Sequence, residues 1–174
     1  MGKAGKIQKT QNKNMDNYYS KKLNANNLIH CYKIAPQRVQ QFLNAEIEFV
    51  LTNISSTDHV LDLGCGYGRV AKRISEKARK VTGIDISIDN IELANEYVQH
   101  NQKCEFLVMD AKKLEFPDNY FDITICVQNG ISAFNVDPVN LLNESIRVTK
   151  NDGMILYSSY SAKFWEYRLE WFHV

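Results

Sequence analysis

The chain has almost no net charge, no long apolar run and no leader-like start. Lysine and arginine number 21 against 20 acids among 174 residues, so the surface as a whole attracts neither sign of partner. That balance argues against strong nucleic-acid binding. No apolar run reaches transmembrane length, and the N-terminus lacks a signal-peptide core. We therefore expect a cytoplasmic protein with no membrane partner.

The four cysteines are scattered, and no C-x-x-C pair occurs. They are Cys31, Cys65, Cys104 and Cys126. Three of them lie in or beside apolar segments, which favours buried free thiols over a metal site or a disulfide framework. We predict no bound metal.

The length suits one domain with a core that needs no covalent or metal support. Residues 1–17 carry four lysines among Gln, Asn and Gly, and we expect them to form a flexible tail. Residues 18–55 are expected to form an N-terminal helical cap. Within the cap, apolar residues at a 3.6-residue period predict a helix over 36–54. Residues 56–174 form the predicted main domain.

A glycine-rich turn after an apolar strand is the strongest single feature. The stretch Val60–Arg69 reads VLDLGCGYGR, a strand with an embedded acid, then glycines at every second position, then a helix. Such a loop lets a ligand approach the backbone at a helix N-terminus. The dinucleotide fingerprint G-x-G-x-x-G needs its third glycine at position 69, which is Arg69 here; the third glycine is Gly68.

The D-x-G-x-G-x-G order resembles the class I S-adenosylmethionine-dependent methyltransferases of the small-molecule, type 11-like kind. Three later segments extend the resemblance over about residues 56–160. They read VTGID at 81–85, FLVMD at 106–110 and YFDITIC at 120–126.

Apolar strands and periodic helices predict a doubly wound, Rossmann-like α/β fold. The predicted strands cover 58–63, 80–85, 103–109, 120–127 and 153–160, and the helices between them cover 68–79, 88–101 and 137–149. The last of these helices carries a predicted buried stripe of Val139, Leu142 and Ile146, and 151–153 (Asn-Asp-Gly) predicts a turn.

We expect a parallel sheet of order 3-2-1-4-5 that lacks the sixth and seventh strands of the family. Only 14 residues follow the predicted fifth strand, and one more helix is expected there. We interpret the chain as a C-terminally truncated fragment. Its fifth strand would then be an open edge through which copies could self-associate.

The resemblance implies a site for S-adenosylmethionine at the carboxyl ends of the strands. Asp85 would bind the ribose hydroxyls, Asp110 with Ala111 the adenine edge, and Ile86 and Met109 the adenine faces. The methionine portion would lie on the glycine loop. The implied cofactor residues are Asp62, Gly64, Cys65, Gly66, Tyr67, Asp85, Ile86, Met109, Asp110, Ala111 and Gln128, the last near the methyl acceptor.

The chemistry demands no particular base, because a sulfonium is a good leaving group and alignment supplies much of the rate. His30 is the only histidine we consider as a catalytic base. The resemblance also implies that Tyr18, Tyr19, Tyr32 and Arg38 face the site, and that Asn129 lies beside Gln128 near the methionine and the methyl acceptor. His59 and His100 are expected at the surface, and Asp58 and Asp122 begin strands, at the wrong end. Asp89 is expected to act as a helix cap.

The acceptor is expected to be a small molecule. Residues 128–134 (QNGISAF) lack the Asn/Asp-Pro-Pro-Tyr clamp that marks amino-nitrogen methylation in this family. Two alternatives stay open. One is an NAD(P)-dependent oxidoreductase, disfavoured by Arg69 and by the lack of a Ser/Tyr/Lys set; the other is a module that binds the cofactor without transferring a group.

Overall fold

A computed structural model describes residues 25–99, 101–128, 130, 137–159 and 161–173. Strands and helices alternate over most of this part of the chain. In chain order they are α1 (Ala25–Lys33), α2 (Gln37–Asn53), β1 (His59–Leu63), α3 (Arg69–Ile74), β2 (Lys80–Asp85), α4 (Ile88–Tyr97), β3 (Cys104–Val108), β4 (Phe121–Cys126), α5 (Pro138–Val148), β5 (Thr149–Tyr157), a 3₁₀ turn (Ala162–Phe164) and α6 (Trp165–His173). No helix in these ranges is long and apolar enough to cross a bilayer.

The five strands form one sheet in the order β3-β2-β1-β4-β5, and each neighbouring pair is parallel. This confirms the predicted fold class and strand order. Because the winding reverses beside β1, the carboxyl ends of β1 and β4 flank a crevice, where open α/β sheets bind ligands. Within the described residues no further strand pairs with β5.

The two faces of the sheet are covered by different helices. Side chains alternate along β1, so Val60 packs with α2, α3 and α4, whereas Leu61 and Leu63 pack with α5 on the other face. Asp62 shares the face of Val60. The sequence of β1 therefore directs one carboxylate into the layer beneath α2 and α3.

The N-terminal helices are joined to the C-terminal one. Phe164 and Trp171 pack against Ala35, Val39 and Leu43 in a third apolar cluster. The indole Nε1 of Trp171 also donates a hydrogen bond to the Cys31 carbonyl at 2.9 Å. This cluster holds α1 against the body of the domain, and Leu28 of α1 lies beside the glycine loop.

The predicted buried stripe of α5 is wrong. Val139, Leu142 and Ile146 are 60%, 44% and 55% exposed. The helix instead buries Leu141 and Val148, together with Ser145, whose hydroxyl bonds to the Leu141 carbonyl and to the Tyr157 hydroxyl. Two stripes with the same helical period lie on this helix. The buried stripe includes Ser145, whose hydroxyl is hydrogen-bonded. Periodicity alone does not choose between them.

The predicted turn at 151–153 is also wrong, because these residues lie inside β5. The register jumps from Phe121 opposite Thr149 to Ile123 opposite Met154, so the extra residues of β5 form an irregular bulge. Gly153 fits there because a Cβ would lie 2.6 Å from the Asp122 carbonyl oxygen. The Asn-Asp-Gly signal is thus a bulge within the strand.

Two expectations about capping and burial need correction. Ser87, not Asp89, caps α4, since its side chain accepts from the Asn90 N–H. His59 is 5% exposed, not at the surface. Its Nε2 lies 2.8 Å from the Thr82 hydroxyl, and its ring packs edge-on against Phe121. Burial, aided by Lys80 and Arg79, lowers the pKa of His59 to about 4.

The edge position of β5 predicts fast amide exchange. Half of the backbone groups of an edge strand have no partner strand, so β5 amides should exchange faster than those of β1 and β4. Hydrogen exchange followed by mass spectrometry in dilute solution measures this order. Slow exchange of β5 in a monomer would mean that another segment covers the edge.

Candidate functional site

The glycine loop is held against the neighbouring strand by its backbone. The amides of Gly64 and Cys65 both donate to the Ile84 carbonyl, at 2.9 Å each. Gly64, Gly66 and Gly68 have φ of 71°, 53° and 80°, a region that favours glycine. Gly68 is the N-cap of α3, so the loop leads into the amino end of that helix. The fingerprint residues therefore form a ligand-binding type of turn.

Asp85 connects this loop to the end of β2. One carboxylate oxygen accepts from the Gly66 amide at 3.0 Å, and the other accepts from the Ser87 amide at 2.9 Å. Burial raises the pKa of Asp85, while these hydrogen bonds and one from Asn90 oppose the rise. Asp85 thus fixes the loop, and it is also the residue predicted to bind the ribose hydroxyls.

Asp62 is 2% exposed and lies at the end of β1. Its Oδ2 has no hydrogen-bond partner among the described residues. Burial raises the pKa of Asp62 to about 7, the Asp85 charge adds to the rise, and Arg69 opposes it. An unpartnered buried carboxyl is costly, so a donor from a ligand would satisfy it.

Cys65 and Tyr67 line the inner side of the loop. Both are buried, and burial raises the pKa of the Cys65 thiol, with Asp62 and Asp85 contributing. The Tyr67 ring lies 5.0 Å from Tyr97 and 6.0 Å from Tyr32 between ring centroids. These two loop residues support the backbone by packing. All four cysteines are free thiols, as expected.

The predicted adenine residues lie at the end of β3 and just after β2. Met109 is half-buried, and its amide donates to the Asp85 carbonyl at 3.0 Å. Asp110 is exposed, and its Oδ1 accepts from the Lys112 amide at 2.9 Å. Ala111 is buried, whereas Ile86 is 64% exposed. An exposed isoleucine beside Asp85 offers an apolar surface at the mouth of the crevice.

Gln128 follows β4 with a left-handed backbone, φ 61°. Its Oε1 accepts from the Tyr32 hydroxyl at 3.0 Å, and its amide N–H donates to the Ser158 hydroxyl at 2.8 Å. The side-chain Nε2 has no partner in the described part of the chain. Strained non-glycine residues concentrate at functional sites. Gln128 thereby joins α1 to the ends of β4 and β5.

Other predicted residues are not brought into this crevice by any described contact. His30 and Arg38 are exposed on α1 and α2. Asp122 lies at the opposite edge, where it accepts from the His59 amide and pairs with Lys150. Tyr18, Tyr19, His100 and Asn129 are outside the described residues.

The sequence reasoning missed Glu46 and Arg69 as site residues. Both oxygens of Glu46, and Nε and Nη2 of Arg69, are buried without partners among the described residues. The Arg69 guanidinium lies 4.7 Å from the centroid of the Tyr32 ring. A signal was present for Glu46, since it falls between Leu43 and Ile47 on the buried side of α2.

The segment that contains these strand ends matches a known protein family. Residues 60–153, more than half of the chain, match a family described as the methyltransferase domain. The 2-methyl-6-phytyl-1,4-hydroquinone methyltransferase of Synechocystis is 28% identical over 148 residues, covering 75% of this chain and 46% of that protein. The ubiquinone biosynthesis O-methyltransferase of Rickettsia conorii is 32% identical over 118 residues, covering 67% and 39%. The chain spans less than half the length of these two curated relatives.

A solved structure gives the same result for the fold. A SAM-dependent methyltransferase from Methanosarcina mazei superimposes with a TM-score of 0.59 at 26% identity, covering 72% of this chain and 64% of that one. The family match includes the glycine loop, Asp85 and Asp110, which are the residues that carried the resemblance in the sequence. The chain belongs to the methyltransferase-domain family.

Proposed function

We propose that this chain uses S-adenosylmethionine to methylate a small-molecule acceptor. The observation that carries the proposal is the pairing of Asp85 with Gly66: a half-buried carboxylate at the end of β2 is fixed 3.0 Å from a glycine-loop amide. Carboxylates at this position suit a ribose diol, and the loop suits a ligand that approaches the backbone. The cofactor supplies a methyl group on a cationic sulfur.

The residues of the crevice fit the parts of that cofactor. A Cβ at Gly66 would lie 3.0 Å from Leu28 Cδ2, so this position, with its left-handed backbone, suits glycine. Asp62 would satisfy its free Oδ2 on the ammonium end, directly or through water. Asp85 would accept from the ribose hydroxyls, and Asp110 keeps one oxygen free for the adenine amino group.

The chain's contribution to catalysis is alignment. A rigid loop, fixed by Ile84 and Asp85, holds one reactant, and the ends of β4 and β5 hold the other. Effective molarities of about 10⁵ M or more follow from such alignment without a covalent step. His30 remains a predicted base only.

A small-molecule acceptor is supported by the kind of relatives the chain has. One curated relative is named for a hydroquinone and another for ubiquinone biosynthesis. Four free thiols favour a reducing compartment, which is the basis for a cytoplasmic location. The N-terminal cap, the boundaries of the domains and self-association through β5 remain predictions.

The experiment is a melting-temperature comparison with S-adenosylhomocysteine, S-adenosylmethionine and NADH. A ligand present at about ten times its Kd should stabilise the folded chain by ~1.4 kcal/mol. We expect the two sulfur compounds to raise the melting temperature and NADH to leave it unchanged, since Arg69 occupies the third glycine position of the dinucleotide fingerprint. Stabilisation by NADH alone would replace the proposal with the oxidoreductase alternative.

A second measurement separates an enzyme from a binding module. Transfer of a labelled methyl group to a panel of small hydroxylated and amine compounds should give a labelled product. Binding without transfer to any of them would support the binding module.

A further inference from the structure

Three side chains with unpartnered buried atoms meet on the side of the crevice away from Asp85 and Asp110. They are Glu46 from α2, Arg69 from α3 and Gln128 after β4. Each such atom lowers the stability of the folded chain when it is buried without a hydrogen bond. Folded proteins contain few of them, and three neighbouring ones on separate elements indicate a place for a polar ligand.

The contacts among these side chains establish that they are neighbours. The Tyr32 hydroxyl donates to Gln128, and the Tyr32 ring lies beneath the Arg69 guanidinium. The Glu46 carboxyl lies close to Ser158, to the Gln128 backbone and to Arg69. No ion pair joins Arg69 to Glu46 in the described residues, so neither charge is neutralised by direct contact with the other.

The position of the cluster distinguishes it from the cofactor residues. Asp62 and Asp85 lie at the carboxyl ends of β1 and β2, and Asp110 follows β3, whereas Gln128 and Ser158 follow β4 and β5. If the cofactor lies across the first three strand ends, the methyl acceptor falls on the β4 and β5 side. This step rests on the proposed function.

The hydrogen-bond donors and acceptors of the cluster favour one chemical class of methyl acceptor. Ionised Glu46 only accepts hydrogen bonds, while Arg69 and the Gln128 Nε2 only donate. A hydroxyl group donates to the carboxylate, and its oxygen can accept from the guanidinium and the amide. An ammonium group would be repelled by Arg69. A weakly acidic hydroxyl, such as a phenol, matches all three side chains.

We propose that Glu46 is a catalytic residue that binds the acceptor hydroxyl and takes its proton. The O–H bond breaks with its proton passing to a Glu46 oxygen, while the acceptor oxygen forms its bond to the methyl carbon. The carbon–sulfur bond breaks at the same time, and its electron pair stays on sulfur as a neutral thioether. Arg69 and Gln128 stabilise the negative charge that develops on the acceptor oxygen.

The environment of Glu46 suits a proton acceptor. Burial raises the pKa of Glu46, with Ser158, the Gln128 backbone and Arg69 as lesser, opposing influences. A carboxylate with a raised pKa is a stronger base than an exposed one. The charged and titratable groups that face this region are Arg69 from α3, Tyr32 from α1 and, beyond Arg69, Asp62 from β1.

The test measures binding of 4-methylphenol, which stays protonated at neutral pH, and of its methyl ether, 4-methylanisole, to the chain saturated with S-adenosylhomocysteine. The variants are Glu46→Gln and, as a matched control two positions along the same helix, Glu48→Gln. Glu48 is exposed and pairs with Arg73 outside the cluster. Equilibrium dialysis gives the affinity for each probe, and calorimetry gives the affinity for S-adenosylhomocysteine.

We expect the unmodified chain to prefer the phenol over the ether by about tenfold or more, the value of one charge-assisted hydrogen bond. Glu46→Gln should reduce that preference to about threefold or less, because its neutral amide oxygen accepts a hydrogen bond about half as strong, and it should leave the affinity for S-adenosylhomocysteine within about twofold. Glu48→Gln should change neither. These results together would support the assignment.

Three results would overturn it. The first is no preference for the phenol in the unmodified chain, and the second is a preference that is undiminished in Glu46→Gln. The third is a large loss of S-adenosylhomocysteine affinity in Glu46→Gln, which would assign the cluster to the cofactor. A failure of the proposed function itself is distinguishable, because the unmodified chain would then not bind S-adenosylhomocysteine at all.

Discussion

Asp62→Asn is expected to stabilise the chain at neutral pH by up to about 4 kcal/mol, with the gain disappearing near pH 4. Burial raises the pKa of Asp62 to about 7 in the folded chain, against about 3.9 in an unfolded one. Between these values the folded state binds the extra proton, so the unfolding free energy falls as pH rises. Because asparagine cannot ionise, the unfolding free energy of the variant does not fall with pH for this reason.

The comparison must be made as a difference between variant and parent. His59 has a pKa lowered to about 4, so it binds its proton mainly in the unfolded state, and stability rises with pH in an overlapping window. Subtracting the two denaturation curves at each pH removes this opposing contribution. Urea denaturation from about pH 4 to pH 8 measures the difference.

Asp122→Asn is the control of opposite sign. Although partial burial works against it, hydrogen bonds from Lys150 and from the His59 amide lower the pKa of Asp122. The folded state therefore favours its ionised form, and Asp122→Asn should cost stability at neutral pH and less as pH falls through the acid range. A difference curve for Asp62→Asn that is flat with pH would show that Asp62 is not a buried titrating acid.

Ligand binding should reduce the pH effect of Asp62. The unpartnered Oδ2 of Asp62 would gain a positively charged or hydrogen-bonding neighbour when the methionine end of the cofactor is present. That partner favours the ionised form and lowers the pKa of Asp62. The buried Asp62 carboxylate thus destabilises the free chain, and a bound ligand would reduce this destabilisation.

The sequence allowed the strands and the glycine loop to be predicted because both depend on local signals. Buried parallel strands read as continuous apolar runs, and Gly64, Gly66 and Gly68 occupy backbone conformations that favour glycine. Asp85 is the last residue of its strand, so its place at the sheet edge depends only on where that strand ends. Such features are encoded within a few residues.

The errors arose where tertiary packing chose between equal local options. The two apolar stripes of α5 have the same period, and only the sheet decides which is buried. His59 begins a strand, a position that is often exposed, but Phe121 and Thr82 enclose it. Glu46 is separated from Gln128 by more than eighty residues. No short pattern reveals that their side chains converge.

Asp85→Ala is expected to weaken the binding of S-adenosylhomocysteine by roughly 1.5–3 kcal/mol, or about tenfold to more than a hundredfold in Kd. The change removes the acceptor proposed for the ribose hydroxyls. It also leaves the Gly66 amide without its partner at 3.0 Å, which loosens the loop beneath the methionine end. Isothermal titration calorimetry measures the affinity, and circular dichroism confirms that the variant is folded.

Two further variants distinguish the possible causes of the lost affinity. Asp85→Asn keeps one acceptor oxygen for the Gly66 amide, so it should retain the loop while losing the carboxylate that the diol requires; its affinity should fall between those of Asp85→Ala and the parent. Asp122→Ala alters a carboxylate at the amino end of β4 that contacts His59 and Lys150, at the opposite edge of the sheet. It should leave the affinity unchanged whatever it does to folding. Equal losses from Asp85→Ala and Asp122→Ala would mean that the ligand does not lie at the carboxyl ends of the strands.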